Sequence, residues 1–407
     1  MMGKNLRYLI LLIFTVLVID CKKPYNPPAI VAANSYLVVD GIINSGTDST
    51  TIRLTQTTNL SSKITVSPVL HAVVVVESDL NATYPLKETK NGFYVSAGLN
   101  LDNSRKYRLR IITTAINSGK QYVSDFVSVV NSPPIDSINY TLNNDGIAIF
   151  SNTHDAKNLT RYYRWDYQET WVFTANFHSH YKSDGYLVTA RNFREDDVYK
   201  CWRTDTSNTI VLGSSAKLVN DVIVNNPITS IASSSEKLGT KYSILVKQYG
   251  LSADAYKFWQ NLKKNTEQLG GVFDAQPSQI IGNIHCVTDP SEPVIGYISA
   301  GRYSSVRIFI DNAQLPRWST ANPYPLCKVD TFLFRYPVPG TRDTVNQVNI
   351  AINYLSKANS NPKDPLIPIE ALPVRPGDAV PMGYTGSQRV CVDCTLRGTN
   401  KQPAFWK

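Results

Sequence analysis

The sequence predicts a mostly β protein in two units: a small β-sandwich, then a larger β-rich domain that carries one amphipathic helix. Three observations predict this. The 407 residues include 23 Tyr and many Val, Ile and Thr, types that favour pleated surfaces over helices. Turn residues are scattered along the chain rather than gathered in one place. A clear helical period appears in only one stretch, near 252–269. The formal net charge of +9 is dilute over 407 residues and does not by itself define a face for a polyanion. In the most basic stretch, Arg161 to Arg203, the residues Asp166, Glu169, Asp184, Glu195, Asp196 and Asp197 nearly cancel the cations. No groove-reading motif accompanies them, so nucleic acid is not expected as a partner.

The chain opens with Lys4 and Arg7, an apolar run from Tyr8 to Ile19, and Cys21. As a helix that run would reach only about 18 Å, against a hydrocarbon core of about 30 Å. A short positive segment, a short apolar segment and a cleavage point make up an export signal, so residues 1–20 are set apart from the fold. After it, "CKKPYNPPAIVAANS" has no apolar period and reads as a hydrated tether over 21–34. An apolar run that ends on Cys, followed by a tether, makes Cys21 the expected lipid anchor, each buried methylene contributing about 0.8 kcal/mol of hold on a bilayer. Simple secretion is the alternative.

Residues 35–132 hold short β-type runs, "YLVVDGIIN", "TTIRLTQTT", "AVVVVES", "GFYVS", "KYRLRIITT" and "QYVSDFVSVV", separated by Gly, Asn, Asp, Ser and Pro. That spacing suits an immunoglobulin-like sandwich. In "LDNSRKYRLRI", Tyr107, Leu109 and Ile111 alternate onto one face, with Leu101 six residues ahead of Tyr107. This resembles the tyrosine-corner strand of fibronectin type III domains, in which a buried Tyr bonds its hydroxyl back to the connecting loop. Pro133 and Pro134 cannot donate ladder hydrogen bonds, so a new unit, 133–407, is expected to start there.

Within 133–407, "SADAYKFWQNLKKNTEQLGG" opens on Ser252, places Ala255, Trp259, Leu262, Thr266 and Leu269 at helical spacing, and closes on Gly270 and Gly271. Trp259 and Leu262 are expected against a sheet. The most aromatic segment is "RYYRWDYQETWVFTANFHSHY". Read as strand, it puts Tyr163, Trp165, Tyr167, Glu169, Trp171 and Phe173 on one face. Such a row fills a sandwich core, but Trp165, Tyr167 and Trp171 are also the candidate ligand-contact aromatics. The run is long for one strand, and a turn or bulge is expected to break it. His178 and His180 are the only close histidine pair, weak candidates for a metal because no third or fourth ligand stands at a recognisable spacing.

Beyond Cys21 stand Cys201, Cys286, Cys327, Cys391 and Cys394. Outside the cytoplasm they are candidates for bridges, with at least one left over. Bridging that ties down the C-terminal strand, Cys327 with Cys391 or Cys394, is the favoured arrangement. "CVDC" lacks the βαβ context of a redox pair, and Phe405 and Trp406 point to a docked C-terminus. No H-E-x-x-H, G-x-S-x-G, G-x-x-x-x-G-K-[ST] or EF-hand pattern occurs, and no cofactor is expected.

The signal ending at Cys21, "YLVVDGIIN", "SPPIDSINY", "RYYRWDYQETW", "GNIHCVTDPSEPVIGYISAG" and "CVDCTLRGTNKQPAFW" together resemble an uncharacterised family of Bacteroidota outer-membrane lipoproteins with a domain of unknown function. The resemblance covers nearly the whole mature chain. It implies an accessory role beside a TonB-dependent receptor, in capturing or handing over a nutrient, with no catalytic residues to carry over. Surface-exported members often carry acidic residues after the anchor, where Lys22 and Lys23 stand here, so the periplasmic and cell-surface faces both stay open. The expectation is a non-enzymatic, lipid-anchored outer-membrane accessory that binds a ligand or a receptor. A surface hydrolase of glycans, whose carboxylates converge only in the fold, and an adhesin are the alternatives.

Overall fold

The computed structural model describes residues 35–58, 66–114, 119–184, 186–267, 280–337, 339–341, 343–355 and 366–407. Cys21, the signal, the tether and Leu269 of the helical pattern lie outside them. The protein is β-rich with one long amphipathic helix, as the composition predicts.

The first module is a sandwich. Leu37–Asn44 pairs with Thr50–Gln56, which pairs with Phe93–Ser96. The facing layer is Val73–Ser78, Lys106–Ile112 and Gln121–Ser124. Thr83–Glu88 pairs into both layers and turns the corner between them. Alternation buries Tyr107, Leu109 and Ile111. The Tyr107 hydroxyl donates to the Asp102 carbonyl at 3.1 Å, the corner that the spacing predicts.

Residues 35–132 do not complete this module. Ile284–Cys286 extends the second layer against Gln121–Ser124, and Ala300–Gly301 runs parallel to the end of Leu37–Asn44. Ile284, Cys286, Val294, Ile298 and Ala300 are buried in the first module's core. Gly296 has φ +150°, and a Cβ there would meet the Val39 carbonyl oxygen at 2.3 Å, so only glycine allows this close crossing.

The second module packs a three-stranded sheet (Ile135–Asn143, Gly146–Asp155, Asp221–Ala232) on a five-stranded one. In the latter the central strand, Tyr162–Thr174, lies between Lys241–Leu251 on one side and both Lys200–Thr206 and Val211–Ser214 on the other. Ser304–Asp311 adds the far edge. The central strand ends at Thr174, so the predicted row breaks there, and His178 and His180 are not on it. Tyr163, Trp165, Tyr167, Trp171 and Phe173 fill the space between the sheets. The Trp165 indole N–H donates to Gln248 Oε1 at 2.9 Å, and the Gln248 amide donates in turn to Thr153 Oγ1, Ser132 Oγ and the Pro133 carbonyl. That network ties the Pro133–Pro134 joint to the core.

The helix, Ala253–Glu267, packs on the other face of the five-stranded sheet. Ser252 Oγ accepts from the Ala255 amide, a cap that starts it. Its seam is Ala255 and Phe258, with Trp259 half-buried beside them. Toward the C-terminus, Leu366–Ala371, Gly383–Gln388 and Asp330–Leu333 form a small sheet. Disulfides join Cys327 to Cys391 and Cys201 to Cys394. Trp406 packs on Trp202 and Phe309, docking the C-terminus.

Candidate functional site

The central strand has two faces, and the site is on the one that turns away from the aromatic core. Arg164, Asp166 and Gln168 alternate with Trp165 and Tyr167, so the same pleat that buries the aromatics presents these polar side chains to the opposite face. Antiparallel register sets Tyr249 opposite Arg164, Lys247 opposite Asp166 and Leu245 opposite Gln168. The strand's other neighbour is interrupted, Lys200–Thr206 covering its second half and Val211–Ser214 its first. The connection between them, 207–210, bulges outward to form a wall. Ser207 anchors it by donating its amide to the Tyr167 carbonyl at 2.8 Å and accepting the Tyr167 amide on Oγ at 3.2 Å.

The helix clips this wall from outside. Lys263 Nζ donates to the Ile210 carbonyl and Glu267 Oε1 accepts the Ile210 amide, both at 2.6 Å. Trp259 from the helix and Asp40 from the first module complete a cleft of about 400 Å³ at the junction of the two modules.

Arg164 organises its floor. The guanidinium carbon lies 4.0 Å from the centre of the Trp259 ring and 4.9 Å from that of Tyr249, and Nη2 donates to Asp166 Oδ2 at 2.9 Å. Its side chain is only 13% exposed, so two cation–π contacts and one ion pair fix a single pose. Burial, reinforced by the charge of Asp166, pushes the Tyr249 hydroxyl well above the usual phenol range, so it remains a hydrogen-bond donor at physiological pH. Lys247 reaches over the Tyr303 ring, 5.0 Å from its centre. Thr206, Ser207, Asn208 and Thr209 line the wall with hydroxyl and amide groups. Rigid aromatics, fixed charges and a polar wall can hold and orient a small polar solute.

A second hollow of about 360 Å³ borders Phe173, Tyr199, Glu236 and Tyr324. Its charges are already matched. Arg397 makes two bonds to Glu236, at 2.9 and 2.5 Å, and a third to the Tyr324 hydroxyl at 2.9 Å. The first cleft is therefore the better site.

Most of the residues singled out from sequence fall elsewhere. Trp165 and Trp171 are buried in the sandwich core and do not line the cleft, which corrects their reading as ligand contacts. Tyr167 borders the cleft, yet its ring is also in the core and its hydroxyl meets Thr229 Oγ1 at 3.3 Å. His178 stacks on Tyr199 and lies against His180 and Phe193, while His180 pairs with Glu370. Among the described residues no group of three His, Cys, Asp or Glu side chains could hold a metal. Cys286 is a buried, unbridged thiol.

Arg164, Asp166, Lys247 and Asp40 were not singled out. The signal was present in "RWDYQ", whose charged and polar members alternate with its aromatic ones.

A family model described as a domain of unknown function, DUF4249, matches residues 22–307, well over half of the chain. The chain belongs to the DUF4249 family. Every residue that lines the cleft, from Asp40 to Trp259, lies within the DUF4249 match, as does the return segment that completes the first module. The small C-terminal sheet and both disulfides extend beyond it. No curated protein matches the chain.

Proposed function

We propose that this DUF4249 protein is a non-enzymatic accessory, anchored to the outer membrane by lipid on Cys21, that holds a small polar solute in the cleft between its modules for a TonB-dependent receptor. The observation that carries the reading is the fixed Arg164, set between Trp259 and Tyr249 and paired with Asp166 beside open space. Such preorganisation favours binding because little side-chain freedom is lost when a ligand arrives. The anchor reading rests on the apolar run that ends at Cys21. It is compatible with the described residues, which include no helix long and apolar enough to cross a membrane.

The test compares wild type with Cys21→Ser in membrane fractions, followed by mass spectrometry of co-purified proteins and of solutes released on denaturation. Wild type is expected in outer membranes with a receptor and a bound solute, and Cys21→Ser in the soluble fraction. Equal release of both proteins into buffer would overturn the anchor.

A hydrolase of glycans is the second reading, favoured only by the presence of two carboxylates, Asp40 and Asp166, around one cleft. Turnover of chromogenic glycosides that is lost in both Asp40→Asn and Asp166→Asn would select it.

A further inference from the structure

The cleft holds two cations and two anions, and they are not equally engaged. Although the buried Arg164 Nε makes no hydrogen bond among the described residues, Arg164 and Asp166 pair at 2.9 Å. Lys247 and Asp40 do not. Among the described residues neither takes part in an ion pair or a side-chain hydrogen bond, although Lys247 is half-buried and its only charge-related contact is the Tyr303 ring. Asp40 stands exposed at the rim on Leu37–Asn44. Its cross-strand neighbour Arg53 makes no ion pair with it and lies over the Phe93 ring instead. Asp166 stands opposite Lys247 in the strand register but pairs with Arg164. A half-buried ammonium held in no ion pair is costly, and a ligand anion would relieve that cost. A ligand carrying only an anion would still leave Asp40 unmatched across the same space.

From this asymmetry we infer that the cleft takes a zwitterion of the amino-acid type, a short peptide with both termini free. This rests on reading the cleft as the ligand site. The ligand carboxylate meets Lys247 and its ammonium faces Asp40. The hydroxyl and amide groups of Thr206 to Thr209 serve the peptide unit between them, and Tyr249 and Trp259 supply apolar contact. A cleft of about 400 Å³ falls in the lower part of the range for small-molecule sites, about 300–1,000 Å³, and suits two or three residues rather than an extended polymer.

Calorimetric titration of the full chain, extracted in mild detergent, tests this with five probes: Ala-Ala, N-acetyl-Ala-Ala, Ala-Ala-amide, maltose and glucuronic acid. Free Ala-Ala is expected to bind, and blocking either terminus to weaken binding about tenfold or more. In Lys247→Met the acid and the amide should bind equally, and in Asp40→Asn the free and acetylated forms should do so. Circular dichroism checks that both variants are folded. Equal binding of free and blocked peptides overturns the inference. Binding of a sugar but no peptide, sensitive to Trp259→Ala, overturns it while leaving the cleft as a ligand site. If no probe binds, the inference falls, and the cleft reading falls with it when the chain drawn from membranes also releases no solute.

Discussion

One buried and one half-buried side chain show how single residues set the behaviour of this protein. Gln248 is fully buried and bonds through both ends of its amide, accepting from Trp165 and sharing its two N–H groups among Thr153, Ser132 and Pro133. Replacing it with Leu keeps the volume but leaves the Trp165 N–H without a partner in the core. Gln248→Leu should cost about 1–3 kcal/mol, measured as a lower urea midpoint at unchanged slope. His178 makes a pH-dependent contribution. Burial lowers its pKa, helped by the neighbouring His180 charge, and the opposing pull of Asp197 and Glu370 does not restore it. The folded protein therefore prefers the neutral ring, while the unfolded chain takes up a proton near pH ~6.5. Stability should fall as pH drops through that value and level off below the folded pKa. His178→Phe should flatten this window in thermal melts taken between pH 7.5 and 5, whereas an unchanged pH profile would count against the assignment.

Elements explain why much of the architecture, but not the cleft, was legible from sequence. The period-2 alternation from Tyr163 to Phe173, the cap at Ser252 and the corner at Tyr107 are local patterns, and each corresponds to an observed element. The cleft depends on relations between elements. Lys247 comes to stand opposite Asp166 through strand register, and Asp40 arrives from another module. Sequence spacing encodes neither relation. The aromatic face also drew attention because large side chains dominate a reading of hydrophobicity, although the functional candidates occupy the intervening positions. The Cys327–Cys391 bridge is one of the two favoured pairings, whereas the Cys201–Cys394 bridge was hidden for a similar reason: its ends are 193 residues apart, and connectivity does not follow from spacing. One element-level prediction concerns the clip on the cleft wall. In Glu267→Ala the Ile210 amide loses its acceptor, so its hydrogen exchange should quicken about tenfold or more, while Lys241–Leu251 stays protected. Unchanged exchange at Ile210 would mean that the helix does not hold the wall.

At the scale of the whole molecule, the two modules are interdependent in sequence although each has its own core. A boundary at Pro133 follows from the loss of ladder donors, but the chain returns at 284–301 to finish what 35–132 began. Ile284, Cys286, Val294 and Ile298 are each no more than 6% exposed. Burial of a Val or Ile side chain contributes about 1.5–3 kcal/mol, so the three aliphatic residues alone represent a large part of the about 5–15 kcal/mol that stabilises a typical domain. Without them, Tyr122 and Ile43 would lose cover, and the edges of Gln121–Ser124 and Leu37–Asn44 would stand open to pairing with other chains. A fragment of residues 35–132 should therefore give no cooperative melt and should aggregate. The same fragment with residues 280–303 joined by a flexible linker should recover a cooperative transition, because closing the longer loop adds only about 0.6 kcal/mol per doubling of its length. A sharp melt from 35–132 alone would show that the first module is self-sufficient, and the return segment would then be a docking contact. If the return segment is integral, the cleft is held in shape by two crossings between the modules, since Asp40 lies on the same strand that Ala300–Gly301 secures.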